Sequence, residues 1–264
     1  MPGKIIRDLL CSVRSEIENI DAIKVKRVII GLGYTAVQLD TEHVGLCYTF
    51  SSEIAPDCCQ IWRRAGTLAG SPAIKLAELS LSWDLSEAVV GVAALNALSQ
   101  LIIEKKSDRY VIVEGDLIDQ IKIAEDDTVV LVGNIYPFIP KIIDKTRKIF
   151  ILERNPRIRG ANIFPDVASE DILPGATVVI ITGTALANGT IDRLLELSRT
   201  AREVALVGPT ASILPDPLFR HGVTAIGCVR IVDNERILQI VSEGGGTPSF
   251  KGACKQIVIR PRRD

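Results

Sequence analysis

Four short apolar runs in the second half of this 264-residue chain restrict its fold more than anything else in it. They lie at 129–134 (VVLVGN), 149–155 (IFILERN), 178–184 (VVIITGT) and 204–210 (VALVGPT). Each is β-branched, nearly uncharged and ends in small or polar residues, the pattern of strands buried on both faces of a parallel sheet. Helical spacing at 136–145 and 190–198 separates them. Alternating strands and helices place all the strand ends on one edge, where open α/β sheets bind ligands. That edge collects Gly133, Asn134, Glu153, Asn155, Thr182, Gly183, Thr184, Gly208, Pro209 and Thr210.

Composition narrows the function classes. With 47% hydrophobic and 24% charged residues and a formal net charge of -1, no global field draws the chain to nucleic acid or membrane. The basic residues Arg260, Arg262 and Arg263 sit at the tail, where solvation explains them more simply than phosphate binding. The first twenty residues carry acidic side chains and no long apolar core, unlike a signal peptide. The most apolar helix, 85–103, is interrupted by Glu87, Asn96 and Gln100, which shortens its apolar stretch below a bilayer span. Six cysteines without regular spacing read as reduced thiols, so a cytoplasmic address is expected.

Residues 5–20 have the period of a surface helix, and 25–30 and 44–50 read as strands. The run 51–70 has no period, and long structureless loops tend to be functional. Ser71 and Pro72 open a helix, and Asp84 caps a second one with Glu87 in capping-box position. The charged, loop-like stretch 107–126 reads as a boundary between domains 1–108 and 109–264. Asp233 caps a last helix, 234–243, which Gly244 stops, and 256–260 forms a terminal strand.

Gly31-Leu32-Gly33-Tyr34-Thr35-Ala36 follows a strand and fits the dinucleotide pattern G-x-G-x-x-A, with Glu53 about 20 residues on. Only 36–43 separates it from the next strand, whereas a helical crossover needs roughly 10–12 residues. Antiparallel pairing around Asp40-Thr41-Glu42 fits better, and NAD is not expected. Glu153 has two readings: a ribose-binding acid, or an ion pair with Arg154 or Arg157.

The segments GLGYTAVQL, AGTLAGSPAIKLAELSLSW, GVAALNAL, LVGNIYPF, LERNP, ITGTALANGT, LVGPT and EGGGT resemble, in order, a two-domain prokaryotic family of unknown function associated with heavy-metal chelation. The resemblance implies an α/β chain. A smaller α+β domain like the amino-terminal domain of enolase precedes a Rossmann-like domain, with the site in the cleft between them. For a metal bound by the protein, the available ligands are His43, Cys58, Cys59, Cys47 and His221. Cys58 and Cys59 are adjacent rather than spaced, and Cys11, Cys47, Cys228 and Cys254 read as buried small hydrophobes. A metal arriving inside an organic chelate is the compatible alternative.

Within the edge, Thr182 to Thr184 and Asn188-Gly189-Thr190 surround one turn. A helix starting near Thr190 would point free N–H groups at an anion, or Thr190 merely caps it. An arginine at Gly183 or Thr184 would fill that mouth. Gly244, Gly245 and Gly246 read as a lid, an anion nest or a plain loop, and Gly66, Thr67 and Gly70, beside Arg63 and Arg64, as the opposite wall. Three roles follow. One is a binding protein for an anionic chelator or metal chelate. Another is an enzyme on a small metabolite or nucleotide-like substrate using Glu153 or Glu53 as acid or base. The third is a scaffold, for which the Ala/Gly-rich helix face 88–97 also suggests a homodimer.

Overall fold

A computed structural model describes residues 3–54, 62 and 64–262. Helix α1 (Lys4–Glu16) buries Ile5, Ile6, Leu9, Leu10 and Val13 on one stripe. It ends at Glu16, short of residue 20, because the backbone turns extended at Ile17, and a left-handed Asn19 (φ 53°) then redirects the chain. Its amino end is capped from a distance, where the Asp192 carboxylate accepts the Ile5 amide at 3.1 Å. A meander follows: β1 (Val25–Ile30), β2 (Tyr34–Leu39) and β3 (Val44–Tyr48), antiparallel throughout. The antiparallel pairing expected around Asp40-Thr41-Glu42 is the β2–β3 hairpin, with Gln38 opposite Val44. All six residues of β2 are buried, so no alternation marks it.

Next come α2 (Ser51–Ile54), α3 (Ala73–Ala77) and α4 (Leu85–Lys105). Asp84 does cap α4, accepting the Ser86 and Glu87 amides. Glu87 forms no capping box, because its carboxylate takes the Ser82 hydroxyl at 2.7 Å. Nor does Ser71 cap α3; its hydroxyl donates to the Leu68 carbonyl. By length and composition α4 could cross a membrane, but 83% of its apolar window is buried within the fold. Its small residues serve that burial. A Cβ on Gly91 would lie 1.9 Å from the Ser80 nitrogen, and one on Gly45 of β3 would lie 2.1 Å from the Ala93 carbonyl oxygen. The Ala/Gly face of α4 thus packs on its own chain, which removes the argument for a dimer through it.

The second half contains β4 (Tyr110–Glu114), β5 (Thr128–Val132), β6 (Lys148–Glu153), β7 (Ile163–Pro165), β8 (Val178–Thr182), β9 (Glu203–Val207), β10 (Ala225–Ile231) and β11 (Cys254–Pro261). They form one sheet in the order β4-β11-β10-β9-β8-β5-β6-β7. The run from β10 to β7 is parallel, and β11 is antiparallel to both its neighbours. The helices are α5 (Leu117–Gln120), α6 (Phe138–Ile143), α7 (Ser169–Ile172), α8 (Ile191–Leu197), α9 (Pro215–Arg220) and α10 (Asn234–Ser242). This is a Rossmann-like α/β arrangement. The stretch 107–126 is no loop, since it holds β4 and α5. The strand β10 is not marked by an unbroken apolar run. Gly227 interrupts its apolar run because Leu117 of α5 packs there, 2.6 Å from where a Cβ would sit.

The sheet separates two cores. Leu131, Ile151 and Ile180 pack with Leu117, Phe138 and Ile142 on one face. On the other, Val130, Val179 and Leu206 join Ile5, Leu9, Ile74 and Leu95 in one continuous cluster. The core therefore runs across residue 108 without a break.

At the amino-terminal edge of the sheet, Asp127 accepts the Ala124 amide (2.8 Å), the Thr177 hydroxyl (2.7 Å) and the Arg202 guanidinium (2.7 Å). Burial opposes its ionisation, but these donors outweigh burial and hold its carboxyl below the ordinary value. A depressed carboxyl contributes stability that is complete above its unfolded pKa of about 4 and is lost as pH falls through the folded value. Urea unfolding of Asp127→Asn from pH 7 to pH 2 should show a shallower loss of stability below about pH 4 than the parent chain. Parallel curves would refute the contribution.

Candidate functional site in the cleft at the sheet edge

From β5 the chain moves outward to β6 and β7, then returns to the other side of β5 as β8, β9 and β10. Connections leave β5 and β8 in opposite directions, which opens a crevice beyond their carboxyl ends. A cleft of about 960 Å³ occupies that position, walled on the far side by Tyr34, Tyr48, Phe50, Ser52 and Glu53. The sheet edge contributes Gly133, Asn134, Glu153, Asn155, Thr182, Thr184, Asn188, Gly189 and Thr190. Topology alone brings these together from three separate loops, those that follow β5, β6 and β8.

The polar contacts define what is free to act. Glu153 forms neither expected ion pair; its carboxylate accepts the Asn134 amide at 2.9 Å and the Asn155 amide at 2.7 Å, tying the β5 and β6 loops together. Arg154 reaches across to Glu53 at 2.9 Å. Arg193 is held by Glu170 and Glu196. Arg157 also lines the cleft, and its guanidinium has no acidic partner among the described residues. The Thr182 and Thr184 hydroxyls lie 3.1 Å apart, and Asn188 accepts both the amide and the hydroxyl of Thr190. Thr190 precedes α8 without a side-chain cap.

Other residues of the expected set lie away from the lining. Gly183 is buried, and a Cβ there would sit 2.6 Å from the Ala211 nitrogen, so arginine at 183 would break the fold rather than fill a mouth. Thr210 is buried as well. Its hydroxyl accepts the Tyr48 amide and its carbonyl accepts the Asn96 side chain, so with Gly208 and Pro209 it forms the seam beneath the cleft. Gly244 to Gly246 pack on the β1–β2 turn. A Cβ on Gly33 would lie 2.7 Å from the Gly245 oxygen, and one on Gly31 2.2 Å from the Val241 oxygen. Close approach therefore explains the G-x-G pair. Gly66, Thr67 and Gly70 belong to a turn anchored on β1 through the Gly70 amide and the Val25 carbonyl. Tyr34, Tyr48 and Phe50 replace them as the opposite wall. The only available signal for that wall was the aromatic end of the run VGLCYTF before the aperiodic segment.

Two family models, DUF364 over residues 116–260 and DUF4213 over 13–99, match the chain, and both carry the description "Putative heavy-metal chelation". This chain belongs to the DUF364 family. An uncharacterized protein of Methanocaldococcus jannaschii is 31% identical over 182 residues, 67% of this chain and 68% of the relative. Two crystal structures of DUF364 proteins with unknown function share the fold. The one from Pyrococcus horikoshii has a TM-score of 0.82 at 22% identity, covering 97% of this chain and 99% of its own. The one from Desulfitobacterium hafniense has 0.79 at 25% identity, covering 97% and 98%.

The family description makes metal ligands the next question. Among the described residues, no three His, Cys, Asp or Glu side chains cluster so as to hold an ion. His43 lines a separate cavity, bound to Thr41 at 3.0 Å and Glu104 at 2.9 Å. His221 is bound to Asp8. Burial pushes the Cys228 and Cys254 thiols up to about 12 and raises that of Cys47 strongly, so these thiols stay protonated at neutral pH. Cys11, expected to be buried, is exposed on α1. Cys58, Cys59 and Arg63 fall outside the described residues. The described side chains do not fit a soft metal ion ligated by the protein alone.

Proposed function

We propose that this DUF364 protein binds a small organic acid in the cleft, and that any metal is carried by the ligand as a chelate. The observation that carries this reading is the uncommitted Arg157 guanidinium, in a strand-reversal cleft whose described lining holds neither His nor Cys. A guanidinium pairs bidentately with a carboxylate. Thr182, Thr184 and Asn188 add hydrogen-bonding groups at the same edge. An enzyme using Glu53 or Glu153 as acid or base is less supported, because one carboxylate engages Arg154 and the other two backbone amides.

Thermal denaturation against carboxylate chelators, metal-free and metal-loaded, tests the reading. A ligand at 100 times its Kd adds about 2.7 kcal/mol, a rise of about 5–10 °C at this chain length. Arg157→Ala and Thr184→Arg should abolish the rise while moving the unliganded Tm by no more than about 2 °C. A rise that survives both substitutions places binding elsewhere. A stoichiometric metal held without chelator, and lost in Cys58→Ser/Cys59→Ser, would favour a site built by the protein.

A further inference from the structure

Resting on that cleft assignment, we infer the ligand class: an acid with a planar aromatic body and a single acidic group, its ring against the Tyr48 side and its acid on Arg157. The charges inside the cleft argue for one acidic group. Its lining holds three carboxylates, on Glu53, Glu153 and Asp166, and three guanidiniums, on Arg154, Arg157 and Arg193. Two of those guanidiniums are already neutralised by the chain's own carboxylates. A polycarboxylate such as citrate would bring three negative charges to one free cation and meet repulsion from the rest.

The remaining volume calls for an apolar body. At about 960 Å³ the cleft is far larger than a bare ion needs, and Val132, Ile135, Leu152, Ile158 and Leu194 line its sheet side. The opposite wall is aromatic. Tyr48 is 38% exposed and held edge-to-face by Tyr34 at 5.8 Å and Phe50 at 5.2 Å. Its hydroxyl makes no hydrogen bond among the described residues, so the ring's orientation is set by its two aromatic neighbours. Phe50 sits at φ 54°, a left-handed conformation that bulky residues rarely adopt and that concentrates at ligand clamps. The Phe50 carbonyl accepts the Glu53 and Ile54 amides, so the same strained residue backs Tyr48 and brings Ser52 and Glu53 to the cleft. A rigid ring with a fixed orientation favours a planar partner, since ring pairs gain beyond the area they bury.

Isothermal calorimetry on the full chain with metal-free salicylate and citrate tests this. Salicylate should bind one to one and at least about tenfold tighter than citrate. Tyr48→Leu, which keeps apolar bulk, should weaken salicylate by about tenfold, whereas Tyr48→Phe should stay within about threefold of the parent. Arg157→Ala should abolish binding. Citrate binding as tightly, or Tyr48→Leu leaving salicylate unchanged, would overturn the aromatic assignment, and loss on Arg157→Ala would still uphold an acid site in the cleft. Failure of both acids to bind, or binding indifferent to Arg157, would overturn the class and the cleft reading together.

Discussion

Gly45→Ala is expected to lower the melting temperature by about 6–12 °C. Gly45 lies in β3 where α4 crosses it, and an added Cβ would sit 2.1 Å from the Ala93 oxygen and 2.2 Å from the Ala97 nitrogen. Both obstacles are backbone, so no rotamer change relieves the clash and the helix must move off the meander. Overpacking of this kind costs about 3 kcal/mol when neighbours cannot yield. At this chain length each kcal/mol moves the Tm by about 2–4 °C. Gly175→Ala is the control, because its Cβ would meet nothing within 4 Å. Calorimetric scans that place Gly45→Ala beside Gly175→Ala would show that β3 and α4 are not so closely packed.

Asn96→Leu should destabilise the chain by about 2–4 kcal/mol and loosen the cleft wall at the same time. Asn96 is fully buried in α4, and its amide donates to the Leu46 carbonyl at 2.7 Å and the Thr210 carbonyl at 2.9 Å. Removing that donor strips one bond from each carbonyl at a buried site, at about 1–3 kcal/mol for each one left unsatisfied. The Thr210 hydroxyl in turn accepts the Tyr48 amide. Hydrogen exchange at Tyr48 should therefore accelerate more than global destabilisation explains. Uniform acceleration across the sheet would mean that Asn96 does not hold the seam.

Much of the sheet was legible because β5, β6, β8 and β9 are short, β-branched and bounded by Gly, Asn or Thr. Other strands are weakly marked by pattern and legible only through their neighbours. β2 is buried on both faces, β4 is an edge strand among charged residues, and β10 is broken by a glycine that exists for α5. At the cleft, sequence placed Asn134, Glu153 and Thr184 on one edge, and the three do line one cavity. Reading Thr67 as the opposite wall was different in kind. It rested on glycine content, which marks a turn equally well, and here the turn hangs on β1.

What the amino-acid order determined by itself was periodicity and punctuation, and hence a parallel sheet whose loops gather on one side. Both follow from backbone geometry within a few residues. Which charges are spent and which are free was decided only by tertiary contacts. Glu53 meets Arg154 from more than a hundred positions away, Glu153 turns inward to two amides, and Arg157 is left over. Pairing of side chains depends on distances in space, and no spacing along the chain encodes them.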